Sequence, residues 1–452
     1  MRITKQRLIA GAALAFLAVM STLGSLTSAK ADSLNEALSQ TLARNPSLAA
    51  AKSTYEARYM EQFVTLSTML PRVSAFASQT RSDTDAKNAY TAGLTGTSQV
   101  EKPQFDSDSY GLQLTQQLFT SGKNLNAFRA KRADIRAEQA KLLATEQQIL
   151  LAAIGGYLDV LRTQSVLRLR EKNVDVLQGQ LDAVKDRFEV GVVTRTDVAQ
   201  SEAALAGAKA GLLGAQADLR AARAGYKEII GIEPVDLVKP RRLPRLPRSL
   251  DRALSIARKD SPTLKTAQEQ AASGRFQSYS TVGGALPSID LTGTYARTEN
   301  PSGAPQIDAD TTSVQLRLNV PLFMGGQSVA AIIASGDVSN ALKQNVHAAS
   351  NTLEREVIVA WNNVATTKAA AESRRQQIEA STLALEGVRQ ENRLGTRTNL
   401  DVLDAEQSLL DARVGLIEAE RNEQLAAYNL LASMGRLTAK RLRIKPADIG
   451  SE

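Results

Sequence analysis

Two long stretches without proline, between Pro103 and Pro234 and between Pro321 and Pro446, constrain this chain more than any other feature. Both are rich in Ala, Leu, Gln, Glu, Arg and Lys, the residues that lose least on entering a helix. Each is broken once, at Gly191 and at Gly395. The segment from Gly122 to about Val190 predicts a single helix about 100 Å long, far beyond an ordinary globular helix. Within it Leu167, Val174, Leu181 and Phe188 recur every seventh residue, with Leu177 and Val184 three after two of them, which is a coiled-coil seam. Past the break Val198, Leu205, Leu212 and Leu219 keep the same spacing. Two such helices joined by a short glycine turn pair antiparallel, so each break is the tip of a helical hairpin.

The arrangement is written twice. Ser33-Leu34-Asn35-Glu36-Ala37-Leu38 returns as Ser249-Leu250-Asp251-Arg252-Ala253-Leu254, and Asn45-Pro46-Ser47-Leu48 as Ser261-Pro262-Thr263-Leu264. The offset is 216 residues and holds through Leu70-Pro71 and Leu286-Pro287; by Leu118-Phe119 and Leu322-Phe323 it has fallen to 204. At the tips Gly191, Thr194, Asp197 and Val198 match Gly395, Thr398, Asp401 and Val402 at that same 204. The chain therefore divides into residues 1–31, a first repeat over 32–248, a second over 249–436 and a tail over 437–452.

Each repeat carries two short alternating runs ahead of its long helices. Ile289, Leu291, Gly293 and Tyr295 alternate with polar neighbours, as do Val314, Leu316, Leu318 and Val320; Val73, Ala75 and Ala77 with Tyr110, Leu112 and Leu114 hold the corresponding places. Strands of about ten residues, apolar on one face and polar on the other, are the pattern of an outer-membrane barrel, although a soluble hairpin with one buried face reads the same way in isolation. Four strands cannot close a barrel, since the smallest single-chain ones have about eight. The chain must oligomerise, and periodicity leaves open whether two copies or three close it. Thr80 to Ser109 and Ala296 to Thr312 are read as surface loops, Val238 to Arg248 as a stiff solvated spacer, and the chain from Lys440 as a poorly ordered tail.

The N-terminus favours the barrel. Arg2, Lys5 and Arg7 precede an apolar run from Leu8 to about Leu23 and then Ala29-Lys30-Ala31, which reads as a secretory signal peptide with the mature chain starting near Asp32. Removing Arg2, Lys5, Arg7 and Lys30 lowers the formal net charge from +8 to +4, and the remaining charges are interleaved along helices, so nucleic-acid binding gains no support. With no cysteine in the chain, a disulfide framework and N-terminal lipidation at a Cys are both excluded. No later segment has the length of a membrane helix, which leaves β-strands as the route into a membrane.

No enzymatic constellation is visible. The single histidine, His347, has Leu143 as its counterpart in the first copy and no ligand spacing around it, so neither metal nor cofactor is expected. Ser121-Gly122-Lys123-Asn124 lacks the earlier glycine and the following Ser/Thr of a phosphate loop. Asp401 and Asp404, three apart on a helix, share a face. A glycosidase pair would need a sugar cleft, and aromatic residues make up only 4% of the chain. In a symmetric oligomer whose tips converge on the axis they would instead form stacked rings of like charge, as in cation-selective constrictions.

The Asn45-Pro46-Ser47-Leu48 start, Leu118-Phe119 and Leu322-Phe323 before Gly122 and Gly326, the doubled glycine turn and Leu400-Asp401-Val402-Leu403-Asp404-Ala405 together resemble the TolC family of outer-membrane channel-tunnels. The resemblance covers essentially the whole mature chain. It implies a mainly α fold with a small β part: a homotrimer whose chains each give four strands to a 12-stranded transmembrane β-barrel, continued across the periplasm by a long coiled-coil α-helical barrel. It further implies that Asp401 and Asp404 ring the periplasmic aperture, and that Arg397 with Thr196 and Asp197 forms links that keep it shut. Val190-Gly191-Val192 and Leu394-Gly395-Thr396 would be the tips that receive a periplasmic adaptor, itself joined to an inner-membrane RND or ABC transporter. Where the best-known members have Tyr, this chain has Asn392, which puts a link from that side chain to Asp197 in doubt. A different class, the non-conducting periplasmic coiled-coil adaptor, would carry one hairpin flanked by β-rich lipoyl-like halves, and fractionation separates the two.

Overall fold

The computed structural model describes residues 33–83, 104–240, 243–299, 308–442 and 444; the predicted signal peptide lies outside them. In chain order the first repeat contains α1 (Leu34–Arg44), α2 (Pro46–Ser67), β1 (Arg72–Asp83), β2 (Gln104–Phe119), α3 (Lys123–Glu189) and α4 (Arg195–Ile230). The second contains α5 (Leu250–Asp260), α6 (Pro262–Gly284), β3 (Ser288–Glu299), β4 (Asp308–Asn319), α7 (Gln327–Arg393) and α8 (Asn399–Ser433), followed by the short α9 (Ala439–Leu442). The duplication is structural to the residue: α3 and α7 are both 67 residues long.

Local chemistry sets the boundaries in both copies. Ser33 and Ser249 cap α1 and α5, and Asn45 and Ser261 cap α2 and α6 with Pro46 and Pro262 at the first helical position, where the missing N–H of proline costs nothing. Gly122 and Gly326 turn the chain from strand to helix at φ 82° and 84°. Around the first corner Ser121 Oγ donates to the Pro287 carbonyl at 2.6 Å, and a Cβ on Gly283 would lie 2.7 Å from the Lys123 nitrogen. The Gly122-Lys123 pair is therefore a packed corner.

As the heptads require, α3 pairs with α4 and α7 with α8. From the tip to Leu219 the buried residues of α4 are Ser201, Leu205, Ala208, Ala215 and Leu219, so small residues fill the seam between the leucines that the sequence displays. Facing them on α3, Leu177, Leu181 and Val184 are buried, but Phe188 is 44% exposed. On α3 the buried seam thus ends at Val184, about one turn before the predicted limit.

The largest apolar cluster lies far from the tips, where α1 and α5 pack across the middle of α3 and α7 and the ends of α4 and α8. Leu150, Ile154, Ile230, Val357, Leu430 and Met434 are buried there. This cluster bears on two expectations. The spacer after Val238 is exposed at Val238, Lys239, Leu243, Arg245 and Arg248 and is also fastened: Tyr157 Oη donates to the Val238 carbonyl at 2.7 Å and accepts from its N–H at 3.1 Å, Leu246 packs on the core, and Lys239 pairs with Glu420 at 2.6 Å. At the start of the tail Leu437 is buried, Leu442 and Ile444 pack on the same cluster, and Arg436 and Arg441 both reach Asp260; the rest of the stretch expected to be poorly ordered, 443 and 445–452, lies outside the described residues.

The strands form one antiparallel sheet in the order β1-β2-β3-β4. They are 12, 16, 12 and 12 residues long, longer than predicted, and residues 80–83, 104–109, 296–299 and 308–312, expected as loop, are strand. Over the added length Arg81 stands opposite Asp106, and Arg297 reaches diagonally across to Asp308. At about 3.4 Å per residue and a tilt near 45°, 12 residues rise about 29 Å, close to the thickness of a bilayer core. Register puts Val73 opposite Leu114, Ala75 opposite Leu112, Leu112 opposite Tyr295 and Leu291 opposite Leu316, which makes one face apolar over the helix-proximal part of the strands apart from Gln116, with charged residues such as Arg81, Asp106, Arg297 and Asp310 on the same face at the far ends; the other face carries Ser74, Gln113, Thr294 and Gln315. The apolar face is exposed, with Leu112, Val314, Leu316 and Leu318 more than half accessible. No helix among the described residues is long and apolar enough to cross a membrane.

Candidate functional site

Both tips are built from the same parts. Gly191 and Gly395 adopt φ 81° and 79°, and an added Cβ would meet nothing within 4 Å at either position. Glycine is needed there for its backbone conformation, not for room. The turns close alike: Gly191 N–H donates to Phe188 and Val192 N–H to Arg187, both at 2.9 Å, while Gly395 N–H donates to Asn392 at 3.1 Å and Thr396 N–H to Glu391 at 3.0 Å. These are helix C-terminal caps with a left-handed residue.

The next helix then starts in a capping box. Thr194 donates from its N–H at 2.9 Å and its hydroxyl at 2.7 Å to Asp197 Oδ2, and Thr398 does so to Asp401 Oδ2 at the same distances. Asp401, a predicted aperture residue, is thus first of all a helix cap. The hydroxyl and N–H of Thr398, and then Arg397, hold its carboxyl below the usual aspartate range. Asp404 is different: it is exposed, and its carboxylate has no hydrogen-bond or ion-pair partner among the described residues. Spacing alone made the two equivalent; the cap separates them.

The second tip is braced more heavily than the first. Arg397 Nε pairs with Glu391 at 2.9 Å and Nη1 with Asp401 at 3.8 Å, Asn392 Nδ2 donates to the Arg397 carbonyl at 2.9 Å, and Thr396 Oγ1 to the Glu391 carbonyl at 2.9 Å. The link expected from Arg397 to Asp197 is therefore not made within one chain, because nearer carboxylates on its own turn take the guanidinium. Asn392 likewise spends its amide on its own turn. Thr196 is exposed, as are Val190, Val192 and Leu394 at 75%, 72% and 81%. Behind each turn an ion pair ties the hairpin: Lys185 with Glu202 at 3.4 Å, and at equivalent places Arg389 with Glu406.

What joins the two hairpins near the tips escaped the sequence reading. On α8, Val402 packs with Leu385 and Leu409 of its own hairpin, whereas Leu403 enters the seam of the first with Leu177, Leu181, Leu205 and Ala208. One turn earlier Asn399, 9% exposed, bonds to Ser201, Gln180 and the Asp197 carbonyl. The available signal was a mismatch between copies, since the counterpart of Asn399 is Arg195. His347 is exposed on α7, and no group of three or more potential metal ligands occurs among the described residues.

The sequence model of the family described as outer membrane efflux protein matches residues 37–231 and 253–436, both repeats. Outer membrane efflux protein BepC of Brucella suis is 31% identical over 81% of this chain and 82% of its own length. Outer membrane protein TolC of Vibrio cholerae is 26% identical over 93% of this chain and 95% of its own, and the alkaline protease secretion protein AprF of Pseudomonas aeruginosa is 24% identical over 88% and 81%. Among solved structures, the CmeC outer membrane channel of Campylobacter jejuni superposes with a TM-score of 0.78 at 17% identity, covering 92% of this chain and 90% of that one. The open state of the Neisseria gonorrhoeae MtrE channel gives 0.74 at 20% identity over 89% and 88%. The duplicated hairpins, the open four-stranded sheet and the match across both repeats have one conclusion: this chain belongs to the outer membrane efflux protein family, the TolC-type outer-membrane channels.

Proposed function

We propose that three copies of this chain form a passive exit duct, a 12-stranded barrel in the outer membrane continued by a helical tunnel through the periplasm. The observation that carries the reading is the sheet, whose apolar face is exposed and whose edge strands β1 and β4 each have an unpaired side. The duplication says how copies join. Within a chain α6 lies between α3 and α7, while its equivalent α2 touches α3 and lacks the second neighbour, leaving Tyr59, Met60, Phe63 and Val64 exposed. In the ring, α7 packs on α2 of the next copy and β4 pairs with its β1. A periplasmic adaptor would carry none of these strands, which leaves that alternative without support.

The residues 1–31 serve as the export signal in this reading. The exposed tips at Val190-Gly191-Val192 and Leu394-Gly395-Thr396 receive the adaptor's hairpin, and the inner-membrane pump, RND or ABC, supplies the energy. Relatives named for efflux and for protease secretion point to small toxic compounds and proteins as the two cargo classes. Arg397 and Asn392 stiffen the second tip and Thr194 with Asp197 caps the first, so that opening untwists braced hairpins. Asp404 and Asp401 form the aperture rings. In planar bilayers the purified protein should pass cations in preference to anions, and Asp404→Ala, which spares the cap, should weaken that preference; an unaltered reversal potential would sink the aperture assignment.

A further inference from the structure

We infer that Asn399 is the clasp between the two hairpins of one chain, a positioning residue that holds the aperture-bearing turn of α8 against α3 and α4. The inference rests on the duct reading above. Asn399 Nδ2 donates to Ser201 Oγ at 2.9 Å and lies 3.4 Å from the Asp197 carbonyl, while Gln180 Nε2 donates to Asn399 Oδ1 at 3.2 Å. Ser201 is 1% exposed and its hydroxyl donates onward to the Asp197 carbonyl at 3.0 Å. Every side-chain partner of Asn399 thus belongs to the first hairpin, and the group sits out of water, where a broken hydrogen bond strands its partners. One turn along α8, Leu403 fills the same seam. Asn399 and Leu403 are four apart and share a face, so the polar clasp and the apolar wedge engage together. Asp401 lies between them in sequence and Asp404 just beyond, so wherever this face is held, the aperture carboxylates are held too.

The clasp is used once per chain. At the 204-residue offset Gln180, Ser201 and Asn399 become Ala384, Ala405 and Arg195. That set cannot rebuild the network, since neither alanine has a side-chain polar atom. The two seams of the ring are therefore unequal: the one inside each chain is tied by amide and hydroxyl, and the other is not. Untwisting of α7 and α8 has to break the tie.

The test is single-channel conductance of the assembled trimer in planar bilayers for Asn399→Ala, Ser201→Ala and the double variant. Each single change should raise the open-state occupancy by roughly two- to ten-fold, the weight of one buried hydrogen bond, and the double should be no more open than Asn399→Ala alone, because both remove one interaction. Gln180→Leu, on a half-buried surface of α3, gives a further variant whose folding is not at risk, and it should shift occupancy in the same direction. Wild-type conductance in all of them, or strictly additive effects, overturns the clasp. A wild-type trimer that carries no ion current overturns the duct reading instead, so the two failures are distinguishable.

Discussion

At the residue scale, the tips show a side chain proposed for the aperture serving structure first. Thr398 and Asp401 satisfy each other's backbone N–H groups, so removing Thr398 should loosen α8 before it alters any charge. Thr398→Ala is expected to cost about 1 kcal/mol of local helix stability, roughly a five-fold rise in amide exchange over the first turn of α8. Hydrogen exchange followed by mass spectrometry reads this directly, and unchanged exchange there would refute the cap as a determinant. The pH dependence has a definite sign. Because the folded state holds Asp401 below its usual range, its contribution is complete above the unfolded aspartate value and is lost as pH falls through the lower folded one. The doubled Gly, Thr and Asp were legible in the sequence; that Asp401 caps while Asp404 stays free was not, since spacing records a face and not a partner.

At the scale of elements, the long helices are held by seams of about two residues per heptad, roughly one per turn, so single leucines matter. Leu403 is 8% exposed and is the α8 residue buried in the cluster with Leu177, Leu181, Leu205 and Ala208. Leu403→Ala should destabilise the assembly by about 2–5 kcal/mol, the range for emptying a buried leucine site. Leu181→Ala should cost a comparable amount, and the pair should fall short of additivity, since both line one cavity. Thermal unfolding by circular dichroism would decide it, and full additivity would show that the two sites do not touch. The heptads displayed these helices because leucine every seventh residue is conspicuous. The alternate positions Ser201, Ala208 and Ala215 are small residues that could lie on any face, so the full width of the seam was not readable.

For the whole molecule, the duplication turns observed pairings into expected ones. Leu114 stands opposite Gly293 across β2 and β3; moved by the two offsets, the same geometry places Leu318 of one copy opposite Ala77 of the next. The chain has no cysteine, so Ala77→Cys with Leu318→Cys introduces a single possible bridge, and residues directly opposite across strands have Cβ atoms about 5 Å apart. Oxidation should give a denaturant-resistant ladder that ends at the trimer. A ladder ending at the dimer would mean that two copies close the barrel, and an absence of bridging would overturn the transferred register.

The sequence by itself determined the duplicated hairpins, the corner and tip glycines, the strand faces and the need for more than one copy. All are repeating or local properties: helix period, strand alternation, capping and positive φ depend on neighbours a few residues away, and copying reinforces each signal. Tertiary structure alone decided that Arg397 turns to Glu391 instead of Asp197, that the spacer is fastened by the Tyr157 hydroxyl, that the tail docks through Leu437, and that Asn399 ties one hairpin to the other. Those outcomes are set by which groups arrive within about 3 Å of one another, and a linear pattern carries neither the distance between residues far apart in the chain nor, for Arg397, the choice among several carboxylates within reach.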